Sequence, residues 1–280
     1  MWGVCRRVPT KVPESMAREK EATPDAPAAS WFARDLPLGL LACVPLLLAY
    51  EAATASTGGA WRNSAEMLLT LPLRALGEYE LLARRIALLV MAFACVWRLY
   101  APDYALVQRT ARVIAEGAAW ALVFGPAALA LHALLDAPVP RALLSTALPP
   151  IPDMALVGIA CGGAAWEELL FRVVLLALGA RVAARYLAPL AGTGRAGRAL
   201  AWSTAMVPVA LLFAASHLSA VNGLFGRGGE HFDAALFAWR TLSGILLAVL
   251  YAWRGVGVAA WCHATVNALL LIGASPGVFL

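Results

Sequence analysis

Apolar residues in this chain gather into long runs separated by short polar breaks, without the strict alternation of a half-buried strand. The runs cover about Leu36–Tyr50, Ile86–Tyr100, Ala111–Leu135, Met154–Ala180, Ala199–His217, Ala234–Ala252 and Val256–Ala274. Each comes near the length that a ~30 Å hydrocarbon core demands of a helix, so the pattern predicts about seven membrane spans. Between the first two, Trp61–Glu80 interleaves apolar residues with Arg62, Glu66, Arg74, Glu78 and Glu80, which suits an amphipathic helix lying in the interface. The first run is short and follows a basic segment. It reads as a retained anchor, with a signal peptide as the alternative, because no cleavage site stands out.

Composition supports the pattern. Of 280 residues, 61% are hydrophobic and 14% charged, and the mean hydropathy is +0.74, outside the range of a soluble domain. The expected fold class is therefore all-α, a polytopic transmembrane helix bundle. Residues 1–34 hold Arg6, Arg7, Lys11, Arg18, Lys20 and Arg34 among prolines, and read as a disordered cytoplasmic tail. Residues 35–152 read as N-terminal membrane helices with the interfacial segment, and 153–280 as a second membrane portion. Counted along the predicted topology, fourteen Lys and Arg fall on the side of the N-terminus and six on the other, which places the N-terminus in the cytoplasm. The basic loop Arg181–Arg198 reads as a flexible cytoplasmic link. Nearly every basic residue is Arg, as in a GC-rich bacterial genome, so the bacterial inner membrane is the expected location. Cys5, Cys43, Cys95, Cys161 and Cys262 lack metal-ligand spacing and read as small core residues.

One apolar run is interrupted by chemistry. Ala164-Ala165-Trp166-Glu167-Glu168-Leu169-Leu170-Phe171-Arg172 places three ionisable groups inside the Met154–Ala180 run. Each costs at least ~2.5–3.5 kcal/mol at bilayer depth, so such groups should face a protein interior. Helix geometry puts Glu168 and Arg172 one turn apart on a common face, as an ion pair. Glu167 points about 100° away and must find its partner on another helix. Either it is a general base raised by burial, or it is a structural clamp between helices. One turn earlier, Gly158 and Gly162 form a small-residue ridge that would admit a neighbouring helix, expected to be one carrying His217 or His263. Arg112 and Glu116 read as a second i,i+4 pair. Glu230, His231 and Asp233 read as a solvated loop, and His132 as interfacial.

Two of the four histidines stand in late spans with a partner at helical spacing: Phe213-x-x-x-His217 and His263-x-x-x-Asn267. A histidine there can also be an ordinary interhelical hydrogen-bonding group. The ordered set Glu-Glu-x-x-x-Arg, Phe-x-x-x-His, His-x-x-x-Asn resembles the CPBP family of intramembrane proteases, which includes the CAAX prenyl endopeptidases and bacteriocin-processing relatives. The resemblance covers about Met154–Ala274, making 153–280 a CPBP-like catalytic membrane core. It implies that Glu167 and His217 activate water, that His263 and Asn267 stabilise the oxyanion, and that Glu168, Arg172 and Phe213 support them. The substrate it implies is a membrane-anchored or lipidated protein or peptide, cleaved in C-terminal processing or sorting.

The expected chemistry is of the glutamic type without a cofactor. Zinc held by Glu167, His217 and His263 is the alternative, since the donor types permit it but no His-Glu-x-x-His is present. A serine protease reading rests only on Ser243 near His263. A non-catalytic membrane protein, whether an immunity or binding factor or a transporter, would reuse the same buried polar residues. The expected partners are the bilayer and a membrane-anchored substrate, with no nucleic acid.

Overall fold

In lipid, an open chain can satisfy its backbone polar groups only as helix, and the apolar runs fold accordingly. A computed structural model describes residues 29–99, 105–136, 153–192, 194–225 and 229–273. Cys5 and most of the predicted tail lie outside them. The helices are α1 (Ala29–Ser56), α2 (Ser64–Leu69), α3 (Glu80–Leu99), α4 (Ala105–Leu134), α5 (Asp153–Glu168), α6 (Ala177–Ala191), α7 (Arg195–Ala215), the short α8 (Ser219–Asn222), α9 (Ala234–Arg254) and α10 (Val256–Gly273). A 3-10 segment, Leu71–Tyr79, precedes α3, and a π-helical segment, Leu169–Leu176, joins α5 to α6 without a break. The only bridge among the described residues is an isolated parallel one between Leu218 and Glu230.

Among the described residues, four helices are long and apolar enough to cross a membrane: Leu36–Ser56, Ala105–Leu134, Ala196–Ala215 and Ala234–Arg254, with Val256–Leu271 apolar but shorter. The predicted spans Ile86–Tyr100 and Met154–Ala180 fall in helices that carry Arg84, Arg85 and Arg98, and Glu167, Glu168 and Arg172, respectively. The protein is thus an all-α integral membrane bundle. Its core joins Cys43, Leu47 and Tyr50 of α1 to Ala165, Phe171 and Leu176 of the α5 region and to Ala259 and Ala260 of α10.

The small-residue ridge of α5 does admit a close neighbour, but the neighbour is α1. A Cβ on Gly162 would lie 2.3 Å from Tyr50 Cβ, and one on Gly158 would lie 2.7 Å from Ala53 Cβ. The expectation that this ridge brings in a histidine helix is corrected: spacing marks a close approach without naming what approaches. Gly117 plays a like part between α4 and α10, where a Cβ would meet Trp261 Cβ at 2.5 Å.

Other expectations are also revised. Trp61–Glu80 is not one amphipathic helix, because Asn63 caps α2, Pro72 stands at the start of the 3-10 segment, and Gly77 (φ 58°) kinks that segment. Leu71, Leu76 and Tyr79 remain exposed, yet Glu66 is fully buried. It receives Arg62 (Nε–Oε2 2.8 Å) and Arg84 (Nη1–Oε1 2.6 Å), while Arg84 also donates to Glu51 (2.9 Å) and Arg62 to Glu80 (2.6 Å). Three of the charges read as interfacial, Arg62, Glu66 and Glu80, therefore belong to an interior network, while Glu78 is exposed. The Arg181–Arg198 link is largely helical, within α6 and α7, since only 192–194 separates them. Glu116 does not complete an i,i+4 pair with Arg112 but bonds Arg254 of α9 (Nη2–Oε2 2.8 Å), bringing α4 to the end of α9.

Candidate active site

The three ionisable residues of α5 separate as helix geometry requires. Glu168 and Arg172 are both fully buried and pair at 3.1 Å. The π-helical turn that begins at Leu169 bonds Ala177 N–H to the Arg172 carbonyl, an i→i+5 step that widens the helix here. The ion pair is off the hydrogen-bonding direction, so Arg172 finds further support across the bundle. Its Nη2 donates to the Gly244 carbonyl of α9 at 3.2 Å, and its guanidinium lies 4.9 Å from the centre of the Phe213 ring. Phe213 thus stacks on the cation, and its ring also meets His217 edge-on at 5.1 Å and His263 at 6.0 Å.

Glu168 has a second task that spacing did not reveal. Its Oε1 accepts from Nδ1 of His263 at 3.0 Å, so it orients that ring as well as neutralising Arg172. His263 Nε2 is thereby turned toward Glu167 Oε2, 3.7 Å away. A carboxylate accepts only, so Nδ1 of His263 carries a proton.

His217 follows α7, in the turn Ser216–His217 rather than within the helix. Its Nδ1 lies 2.9 Å from the Phe213 carbonyl oxygen, which can only accept. In the neutral ring the proton therefore sits on Nδ1 and the Nε2 lone pair is left for a pocket water. The turn is tied down from beyond: Glu230 N–H donates to the His217 carbonyl (3.0 Å) and Ser219 N–H to the Glu230 carbonyl (2.8 Å). Glu230, expected in a solvated loop, is instead buried and paired with Arg240 of α9 (Nε–Oε2 3.0 Å). Asp233 caps α9 at Leu236 N (2.9 Å), and only His231 of that trio is exposed. His132 packs edge-on against Trp239, 5.5 Å between ring centres.

These elements enclose a cavity of about 140 Å³ between α4, α5, α7, α9 and α10. Its polar lining comes from Glu167, His217, His263, Asn267, Arg240 and Ser243; Phe124, Phe213, Trp239, Leu246 and Val266 are among the apolar walls. The four residues expected to be catalytic thus line a single space, with Glu168 and Arg172 behind it. Asn267 donates one amide hydrogen to the Ala160 carbonyl at 3.1 Å, which fixes the plane of the amide and leaves the second hydrogen for the cavity. Ser243 Oγ is buried with no hydrogen-bond partner.

Sequence reasoning missed Asn63. Its Nδ2 donates to Glu167 Oε1 at 2.8 Å, so the chain ahead of α2 supplies the contact that Glu167 needed from outside its own helix. Gly163 makes room for it, since a Cβ there would fall 2.9 Å from Asn63 Nδ2. Asn63 lies more than a hundred residues before Glu167, and no local spacing marks it. A count was available, however. The chain has only three asparagines, Asn63, Asn222 and Asn267, and all three are at or beside the site.

As for zinc, the ring nitrogens left by Phe213 and Glu168 are of the right type, but fit requires three donors converging on one point. Among the described residues no group of three or more His, Cys, Asp or Glu is placed to hold a metal ion.

Compared with known sequences, residues 149–269 match the family model described as type II CAAX prenyl endopeptidase Rce1-like. The match spans Glu167 to His263 and Asn267 and leaves out Asn63. Neither the curated proteins nor the solved structures give a match.

Proposed function

We propose, starting from a chain whose residues 149–269 are of the CPBP, Rce1-like type, that the protein is an intramembrane endopeptidase acting on a membrane-anchored or lipidated protein or peptide. The observation that carries this reading is the convergence of Glu167, His217, His263 and Asn267 on one cavity. Peptide hydrolysis needs a base, a proton carrier and donors aimed at developing negative charge, and the cavity offers each. The Glu167 carboxylate takes a proton from water as the water oxygen bonds to the scissile carbonyl carbon, and the carbonyl π electrons move to its oxygen. The free amide hydrogen of Asn267, with His263 when Nε2 is protonated, donates to that oxyanion. The tetrahedral intermediate collapses by breaking the C–N bond, and His217 relays the proton to the leaving nitrogen. Arg172 and Glu168 hold His263 and the surrounding helices in register.

C-terminal processing or sorting in a bacterial inner membrane, with the N-terminus in the cytoplasm, is the setting that this reading implies. The test uses purified protein in nanodiscs with two quenched probes: a farnesylated peptide ending in Cys-aliphatic-aliphatic-X, and an unprenylated peptide joined to a single transmembrane helix. Cleavage of either, retained after exhaustive chelation, is expected. Loss on chelation with recovery on adding zinc overturns the metal-free mechanism. Binding without cleavage of both probes favours the non-catalytic alternative.

A further inference from the structure

The matched family region ends short of the residue that touches Glu167 from the other half of the chain. We propose that Asn63 is a positioning residue of the active site, fixing the Glu167 carboxylate so that one oxygen is held by the amide and the other faces His263 and the cavity. This rests on the endopeptidase reading for its catalytic meaning, but its geometry stands apart from that reading.

The amide's orientation is determined. Asn63 Oδ1 accepts from Ala65 N–H at 2.8 Å as the cap of α2, so the Glu167 side of the amide must be Nδ2. Its backbone N–H donates to the Tyr50 hydroxyl at 2.5 Å. That tyrosine sits on α1 where Gly162 lets the helix approach, so the small-residue ridge indirectly places Asn63 over Glu167. The next residue binds the other wall of the site: Ser64 Oγ donates to Asn222 Oδ1, and Asn222 Nδ2 donates to the Ser216 carbonyl at 3.1 Å, next to His217. Two consecutive residues thus connect the start of α2 to the glutamate on α5 and to the turn that carries His217.

The consequence for Glu167 is directional. With Oε1 occupied by Asn63, Oε2 is the oxygen left toward His263, and a carboxylate free to rotate would share its basic lone pairs over both positions. A capping residue alone would not matter in this way, and that difference makes the proposal testable. Asn63→Ser and Asn63→Thr both retain an oxygen able to cap α2, yet neither offers Glu167 the amide donor. In the probe assay, each is expected to lower kcat roughly 10- to 100-fold, the loss of one hydrogen bond to a charged group, with KM and thermal midpoint close to wild type.

A second readout needs no substrate. Selective 15N labelling of asparagine yields three side-chain amide pairs, assigned by substitution. Glu167→Gln should shift the Asn63 pair strongly and the Asn222 pair little. Wild-type kcat in both Asn63 variants, with Glu167→Gln inactive, overturns the proposal and leaves the endopeptidase reading standing. If wild type cleaves neither probe, the endopeptidase reading fails, and an Asn63 pair that ignores Glu167→Gln then overturns the proposal as well. A fall in thermal midpoint that parallels the fall in kcat also overturns it, since Asn63 would then be a helix cap only.

Discussion

Two clusters of buried charge lie close together in this bundle, and they are built differently. Around Glu66, three carboxylates (Glu51, Glu66, Glu80) meet Arg62, Arg84 and Arg85, and both Glu66 oxygens are bonded to guanidinium nitrogens. Around Glu167 the cations are already taken: Glu168 occupies the Arg172 guanidinium, and Arg240, which also lines the cavity, is paired with Glu230. Glu167 is left with a neutral amide, an imidazole at 3.7 Å and an open cavity. Burial accompanies this difference without explaining it: the Glu66 side chain is fully buried, and that of Glu167 is only 13% exposed. What separates Glu66 from Glu167 is whether both carboxylate oxygens already have a cationic partner. A fully compensated carboxylate is a poor proton acceptor, whereas one facing a cavity with a neutral donor at its back keeps its basicity for a substrate water.

The largest effect that can break this comparison is Glu167→Gln. It conserves volume and a hydrogen-bonding partner for Asn63 while removing the base. Cleavage of the probes should fall by roughly 10²- to 10⁴-fold, with accumulation and thermal stability near wild type. An active Glu167→Gln would mean that the uncompensated acid is not the base.

Glu168→Gln should fail in the opposite manner. It leaves Arg172 buried beside an uncharged amide and loosens His263, so the expected cost is about 3–5 kcal/mol of stability, with activity falling alongside. Adding Arg172→Met removes the orphaned charge and should restore part of the stability, with cleavage still below wild type because the substituted amide accepts from His263 more weakly than the carboxylate does. Unfolding of the single and double variants in detergent, read against cleavage, decides this. A well-folded but inactive Glu168→Gln would exchange the roles assigned to the two acids.

How much of this was legible beforehand depended on range along the chain. The Glu168–Arg172 pair was readable because it lies within one helical turn, and it survives even though the segment after Glu168 is π-helical. The same rule misled at Arg112 and Glu116, where Glu116 bonds Arg254 on another helix; spacing makes a pair available without excluding a better distant partner. The Gly158–Gly162 ridge announced a close contact but not its identity. Glu230 looks solvated because polar residues surround it in sequence, while its partner Arg240 lies nearly two helical turns into α9. Asn63 and Tyr50 carried no local mark, since their roles arise only when α1 packs on α5.

The compensated cluster should respond to acid through Glu66. Burial opposes ionisation of Glu66, but its bonds to Arg62 and the charge of Arg84 outweigh that and hold its carboxyl below the ordinary range. A carboxyl lowered in the folded state contributes stability above the unfolded value, ~4.3 for glutamate, and loses it as pH falls toward the folded value. Wild-type thermal stability should therefore decline as pH drops below about 4.3. Glu66→Gln should be less stable at neutral pH and show a flatter acid limb. An acid limb unchanged by Glu66→Gln would remove this cluster from the account.

The smallest expected effect is at the exposed end of the same scale. Glu116 and Arg254 form a two-point ion pair between α4 and the last turn of α9, with side chains 31% and 43% exposed. Its geometry resembles that of Arg62 with Glu66, but its surroundings differ. An exposed pair gains little because the medium already solvates each charge, and holding two long side chains in place costs entropy, so coupling should be about 0–1 kcal/mol. A double-mutant cycle with Glu116→Gln and Arg254→Gln measures that coupling directly, and raising the salt concentration should shrink it further. The same cycle on Glu66 and Arg62 should give a clearly larger value. Equal couplings in the two cycles would show that burial is not what sets the strength of these pairs. The contrast between compensated and uncompensated acids would then have to rest on the cavity at Glu167 alone.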